Sequence, residues 1–329
     1  MNSTYIALVK AMQAEYPPME TLTPEEARAN QLERRRRMVA AATADAATVG
    51  SSTTDTSTAT ISVEDREIPG PNGMIRVRIY RPNIPTPLPV VLYLHGGGWV
   101  LCDLDSHDAV CRSLSENSAC IFVSVEYRLA PEYKFPTPLE DAFAATVWVA
   151  AHREELGAGG KPLAVAGDSA GANLAAAACL KARDEGGPEI ALQVLIYPVT
   201  VFDFTSSSYQ EFRDAPVLTR AAMQWFWGHY LAKADDGTDY LASPLLASDL
   251  SGLPDALCIT AEMDPLRDEG EAYAHQLREA GVTVRLSRYQ GMFHGFFAMT
   301  QIAEEARQAN EEVASVLKSV LDGAPMEAK

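Results

Sequence analysis

Gly167-Asp168-Ser169-Ala170-Gly171 follows the apolar run Leu163-Ala164-Val165-Ala166 and leads straight into Asn173-Leu174-Ala175-Ala176-Ala177-Ala178. The pattern predicts a strand, a one-residue turn and a helix, with a serine at the apex. Small residues are needed on both sides because the strand and helix backbones nearly collide there. Such a turn forces the serine into an unfavourable backbone conformation and pushes its hydroxyl out at the end of the sheet. The neighbouring helix N-terminus favours negative charge developing close by. Five residues alone would fit an ordinary turn; the strand before and the helix after set this one apart.

A second motif, His95-Gly96-Gly97-Gly98-Trp99, ends the strand-like run Val90-Val91-Leu92-Tyr93-Leu94. Three consecutive glycines after a buried strand let the backbone turn its N–H groups toward a common point, as a loop that shelters an oxyanion must. A phosphate cradle would open a helix with a Lys-Ser/Thr pair, and none is here. An activated serine beside such a loop points to acyl transfer.

A nucleophilic serine needs a base, and the base needs an acid to orient it; where the serine sits on a G-x-S-x-G elbow the chain order is Ser, Asp or Glu, His. Downstream, the β-like run Ala256-Leu257-Cys258-Ile259-Thr260-Ala261 ends in Glu262-Met263-Asp264-Pro265-Leu266-Arg267-Asp268. A carboxylate just past a strand end lies on the same sheet edge as the serine. The run 282–289 is another strand and leads into Gly291-Met292-Phe293-His294-Gly295-Phe296, a loop able to carry a histidine over that edge. Asp264 and His294 are the expected partners of Ser169.

The rivals are few. His107 and His275 read as helix residues and His152 as the end of a helical stretch, all three at the surface. His229 belongs to a packed aromatic helix, and the ring of His95 is expected to bond backbone and hold the glycine loop in shape. Asp268 lies one helical turn after Asp264 and is the more serious rival acid. Glu262 points to the opposite side of the strand end.

Taken together and in order, His95 to Trp99, Glu126-Tyr127-Arg128-Leu129-Ala130-Pro131-Glu132, Gly167 to Gly171, Asp264 to Asp268 and His294-Gly295-Phe296 resemble the hormone-sensitive lipase family of α/β-hydrolase carboxylesterases, in its bacterial-type form. The likeness covers roughly residues 60–320. It implies an oxyanion hole from the N–H groups of Gly97, Gly98 and Ala170, short- to medium-chain acyl esters as substrates, and a helical cap over the acyl pocket. No cofactor or metal is implied. Glu126, Arg128 and Pro131 are expected to brace the loop beside the glycine motif. The same triad would serve an amidase, a deacetylase or a lactonase, and the sequence does not separate these. A small-molecule receptor on this fold would have lost the base, and His294 is present.

Composition agrees with one sizeable enzyme: 329 residues, 47% hydrophobic, can bury a large core as one big domain or two small ones. Glu15, Glu20 and Glu25 and the lack of an apolar core argue against a signal peptide in the first 25 residues. Apolar stretches break off well before the ~18 residues of a membrane span. Five cysteines without C-x-x-C spacing argue against a disulfide framework and suit the cytoplasm. Cys102 reads as a packed thiol near the glycine loop. A formal charge of −17 argues against nucleic acid and anionic membrane as partners, and leaves a homo-oligomer open. Arg34-Arg35-Arg36-Arg37 is expected to be a solvated helix face pairing with Glu25, Glu26 and Glu33. Gly157-Ala158-Gly159-Gly160-Lys161 precedes a strand instead of following one, so it reads as a loop, and no His/Cys spacing suggests a metal.

Residues 1–45 read as N-terminal cap helices, with Thr23-Pro24-Glu25-Glu26 as a capping box, and residues 46–58 as a polar linker at the start of a catalytic domain over 46–329. Strand-like runs at 59–68 and 73–81 form an antiparallel pair. Further strands at 90–95, 120–126, 162–167, 191–197, 255–261 and 283–289 alternate with helices at 106–118, 138–153, 169–184, 265–280 and 299–321. That order predicts a mostly parallel central sheet flanked by helices, with its site at the carboxyl ends of the strands, and the family resemblance implies that this is the α/β-hydrolase fold. Residues 203–242 interrupt the alternation. Met223, Phe226, Trp227 and Tyr230 make an i, i+3, i+4, i+7 stripe there, expected to belong to the cap and to line part of an apolar acyl pocket together with Trp225.

Overall fold

Runs of apolar residues with no polar alternation make strands that must be covered on both faces. In the computed structural model, which describes residues 15–48 and 60–327, such runs form the middle of one eight-stranded sheet. Its strands are Ile61–Gly70 (β1), Gly73–Pro82 (β2), Val90–Leu94 (β3), Ile121–Glu126 (β4), Leu163–Asp168 (β5), Leu192–Ile196 (β6), Asp255–Met263 (β7) and Val284–Phe293 (β8). Their order is β1-β2-β4-β3-β5-β6-β7-β8. The β1–β2 and β2–β4 pairings are antiparallel and the rest are parallel, so β3, β5, β6, β7 and β8 all end at one edge. Every residue of β3, β5 and β6 is buried.

The period of two in a strand divides the interior into two cores. Val90, Leu92 and Leu94 face one, with Leu139, Ala142, Leu174, Ala175, Tyr273 and Leu277 from the helices Thr137–Ala151, Ala170–Glu185 and Arg267–Glu279. Val91 and Tyr93 face the other, with Val110, Leu114, Val313 and Leu317 from the helices Asp108–Ser118 and Glu304–Leu321.

β8 runs four residues past its expected end at 289. A bulge between Ala261 and Met263 realigns the ladder so that Met263 pairs with Phe293. His294 is therefore the first residue beyond the strand. The segment between β6 and β7 carries two helices, Ser207–Glu211 and Arg220–Tyr230, and two short 3-10 turns.

The N-terminal helix spans Pro24–Thr48 and so takes in Ala46, Ala47 and Thr48, which composition assigned to the linker. Alanine's helix propensity carries it on. The expected helical residues 1–14 and linker residues 49–58 lie outside the described residues. The capping box forms: Thr23 N–H donates to Glu26 Oε2 (2.8 Å) and Glu26 N–H to Thr23 Oγ1 (3.2 Å). The arginine run is not simply a solvated face. Arg37 does pair with Glu33 at 2.9 Å, but Arg35 reaches off the helix to Asp103 (2.7 Å) and Arg34 lies over the Tyr16 ring at 4.2 Å. Their neighbours ahead on the helix cross the same gap. Arg28 donates to the carbonyls of Val100 (2.8 Å) and Ala130 (2.7 Å) and to both oxygens of Glu132, while Gln31 Oε1 accepts from Cys102 N–H (3.1 Å). Among the described residues no helix is long and apolar enough to cross a membrane.

The tightest packing is at the turn around Ser169. A Cβ on Gly171 would overlap the Leu94 carbonyl oxygen and stand 2.5 Å from that of His95, and both obstacles are backbone. Gly171→Ala should therefore destabilise the protein by about 1–3 kcal/mol or more. Gly160, with open space around it, should tolerate alanine within about 0.5 kcal/mol. Urea titrations of the two variants test the contrast, and equal midpoints would contradict it.

Candidate active site

Ser169 stands between β5 and the helix that starts at Ala170, with φ 55° and ψ −119°, a conformation rare for a residue with a side chain. Its N–H donates to the Ile196 carbonyl at 2.8 Å, tying the turn to β6. Its Oγ lies 2.9 Å from His294 Nε2, and His294 Nδ1 lies 2.7 Å from Asp264 Oδ2. The three side chains come together across 125 and 30 residues of sequence because β5, β7 and β8 end side by side. Asp264 is fully buried, and its Oδ1 accepts from Leu266 N–H at 2.9 Å, so the turn through Pro265 fixes the carboxylate. The Tyr197 ring packs against the imidazole with centroids 4.6 Å apart.

The glycine loop leaves β3 with three successive residues at positive φ: Gly97 (104°), Gly98 (61°) and Trp99 (60°). Glycine adopts that region freely; tryptophan does so only when its surroundings impose it. Here they do. Trp99 is fully buried, stacked on Tyr230 at 4.1 Å and tilted against Trp227 at 4.6 Å. The Val100 and Leu101 N–H groups both donate to the Gly97 carbonyl (3.1 and 2.9 Å), which turns that oxygen into the loop. A Cβ on Gly98 would overlap the Phe226 ring, so the inserted helix rests directly on the loop.

The aromatic stripe packs behind this loop. Met223, Trp227 and Tyr230 are core residues behind the glycine loop, and Trp225 binds the Leu22 carbonyl through Nε1 at 3.1 Å. Phe226 meets the loop at Gly98, and Trp227 and Tyr230 meet it at Trp99.

His95 behaves as expected. Its Nδ1 lies 2.8 Å from the Gly96 carbonyl, its ring stacks on Tyr127, and burial pushes its pKa down to about 4, which keeps it neutral. His107 does not. It precedes its helix instead of lying in it, is buried, and directs Nε2 at the Asp168 carboxylate (3.1 and 3.3 Å to the two oxygens). A polar partner inside the sheet edge draws it in, which helical periodicity does not register. His152 is half-buried on Trp148, His229 half-buried on Trp225, and His275 exposed. Asp268 is taken up elsewhere, accepting from Ser208 N–H (2.7 Å) and Arg267 Nε (2.9 Å). Glu262 accepts from Gly291 N–H at 2.6 Å. Arg128 grips the buried Asp141 with two 2.7 Å bonds and Glu126 pairs with Arg76. Cys102 is half-buried with its thiol pushed up to about 12 by burial, far from a reactive thiolate.

Sequence reasoning passed over Asp168, Tyr93 and Tyr197. The first two were findable: Tyr93 and Asp168 lie near the ends of the adjacent parallel strands β3 and β5 and point into the same core.

A sequence profile described as the alpha/beta hydrolase fold matches residues 91–298. Carboxylic ester hydrolase LipN of Mycobacterium tuberculosis is 44% identical over 267 residues, covering 79% of this chain and 71% of its own. Carboxylesterase NlhH of the same species is 42% identical, covering 79% and 83%. Among solved structures, a hyperthermophilic esterase from the archaeon Pyrobaculum calidifontis superposes with a TM-score of 0.88 at 41% identity, over 97% of this chain and 98% of that one. With both motifs inside the matched region, the chain belongs to the hormone-sensitive-lipase-like family of α/β-hydrolase carboxylesterases.

Proposed function

We propose that the chain is a serine carboxylesterase that hydrolyses short- to medium-chain acyl esters through an acyl-enzyme formed on Ser169. The observation that carries this reading is the single imidazole bonded on one side to the Ser169 hydroxyl and on the other to a buried carboxylate. His294 Nε2 takes the hydroxyl proton as Oγ attacks the ester carbonyl. Asp264 holds the proton on Nδ1, so that Nε2 presents its lone pair, and then stabilises the imidazolium. The N–H groups of Gly97, Gly98 and Ala170 meet the oxyanion, each such donor contributing about 2.7–4 kcal/mol in the transition state. His294 then protonates the leaving alcohol, and a water molecule repeats the sequence on the acyl-enzyme.

A fluorophosphonate should add once, at Ser169, and Ser169→Ala should lose several orders of magnitude in kcat while remaining folded. Labelling elsewhere, or turnover in the alanine variant, would sink the assignment. The two acids separate cleanly. Asp264→Asn should cost on the order of 10⁴ in kcat by leaving the wrong imidazole tautomer. Asp268→Asn, whose carboxylate is engaged by Ser208 and Arg267, should cost far less. Steady-state kinetics on p-nitrophenyl butyrate decides the ranking.

The inserted helix and the N-terminal helix act in this reading as a small cap. The Phe226 ring stands directly against Gly98, beside the oxyanion loop, and would bound the acyl pocket there. Each acyl methylene that can still be buried gains about 0.8 kcal/mol, and further carbons must stay in water or lift the cap. Along a p-nitrophenyl ester series, kcat/KM should rise and then fall, with its maximum at roughly four to eight acyl carbons, a few methylenes being what a pocket of this size holds. Faster hydrolysis of emulsified long-chain triglyceride than of soluble butyrate esters would make the protein a true lipase.

A further inference from the structure

Asp168 immediately precedes Ser169, yet its side chain turns away from the hydroxyl and back toward β3. Its Oδ1 accepts from the Gly96 N–H at 3.1 Å and from the Tyr93 hydroxyl at 2.9 Å, and His107 Nε2 spans both oxygens. A Cβ on Gly96 would overlap Oδ2, so the first glycine of the loop is what admits the carboxylate. Two chain segments are thus bonded by one side chain: the turn bearing Ser169, and the loop bearing Gly97 and Gly98. We infer that Asp168 is a positioning residue that fixes the Gly96 peptide and thereby the aim of the Gly97 and Gly98 N–H groups. The inference rests on the proposed role of Ser169 and the glycine loop.

Electrostatics alone would not put a carboxylate there, because a negative charge beside a developing oxyanion opposes it. Burial also works against the charge, but the His107 imidazole and the Tyr93 hydroxyl hold the carboxyl below its ordinary pKa. The carboxylate's lone pairs are taken up within the cluster by Gly96 N–H, Tyr93 O–H and His107 Nε2, and what it contributes is geometry. Oxyanion donors work only when they stand 2.7–3.1 Å from the forming oxygen, and a displacement of about 1 Å can cost on the order of a hundredfold.

The test compares Asp168→Ala with Asp168→Asn, and Asp168→Ser replaces the alanine variant should that fail to fold. Asparagine keeps an oxygen for Gly96 N–H and Tyr93 O–H. Its Nδ2 can donate to His107 Nε2 once the imidazole carries its proton on Nδ1, which faces Ser106 Oγ at 2.9 Å. With p-nitrophenyl butyrate, kcat should fall on the order of ten- to a hundredfold in the alanine or serine variant with KM unchanged. Affinity for a phenylboronic acid, which forms a tetrahedral adduct on the serine, should fall in proportion, and asparagine should recover most of both losses. Independently of turnover, hydrogen–deuterium exchange should quicken in the peptide 94–102 of the alanine or serine variant and stay at wild-type rates elsewhere. Wild-type kcat and loop exchange in that variant would overturn the inference. So would faster exchange throughout the chain with boronate affinity unchanged. If the wild-type protein neither cleaves esters nor binds the boronate, the catalytic reading fails, and the exchange of 94–102 alone decides whether Asp168 holds the loop.

Discussion

The molecule turns on a backbone-to-backbone contact. Where β5 gives way to its helix, Gly167 and Gly171 lie so close to the last carbonyls of β3 that neither position has room for a Cβ. Without that approach the two strand ends would stand a side chain apart. With it, the serine turn from one strand and the glycine loop from the next share a single small volume. The buried Ala175–Ala178 stretch continues the same economy along the helix, keeping it low on the sheet. His294 and Asp264 then need only arrive at the same edge, which the parallel order of β6, β7 and β8 ensures.

The glycine loop itself is held from three directions. Behind it, Trp99 sits in a left-handed conformation that costs roughly 1–3 kcal/mol for a residue of its kind. Stacking on Tyr230 and complete burial of the indole offset that cost. Beneath it lies Asp168, and above it Phe226. A loop with so many glycines would be mobile in isolation; here its conformation is imposed by rings and a carboxylate that belong to other elements.

Much of this was legible in the sequence, and the reason is local. The strand runs, the elbow and the glycine loop each depend on residues within a few positions of one another, and Asp264 and His294 follow from strand ends plus chain order. What escaped was the outcome of packing between distant segments. His107 read as a surface helix residue because periodicity carries no information about Asp168, 61 residues away. The aromatic stripe reads as one face of a helix, but its spacing does not reveal that this face supports Trp99. Arg35 looked like part of a solvated charge run because Asp103 becomes its neighbour only in the folded chain. β8 ran on past 289 because a bulge in its partner shifted the register, an event no alternation pattern records.

The N-terminal helix has a consequence for the order in which the protein can be assembled on the ribosome. The Ala130 carbonyl and the Glu132 carboxylate that Arg28 binds are 102 and 104 residues downstream, and the indole that binds the Leu22 carbonyl is 203 residues downstream. Synthesis runs N-terminus first at about 5–20 residues per second. The helix is therefore made several seconds before even its nearest partners, the Val100 carbonyl and the Asp103 carboxylate, exist for it to dock on. Its own surface must keep it harmless in that interval, and four consecutive arginines spread around the helix with glutamates among them do so. A helix synthesised ahead of its partners finds its place only after they have followed it.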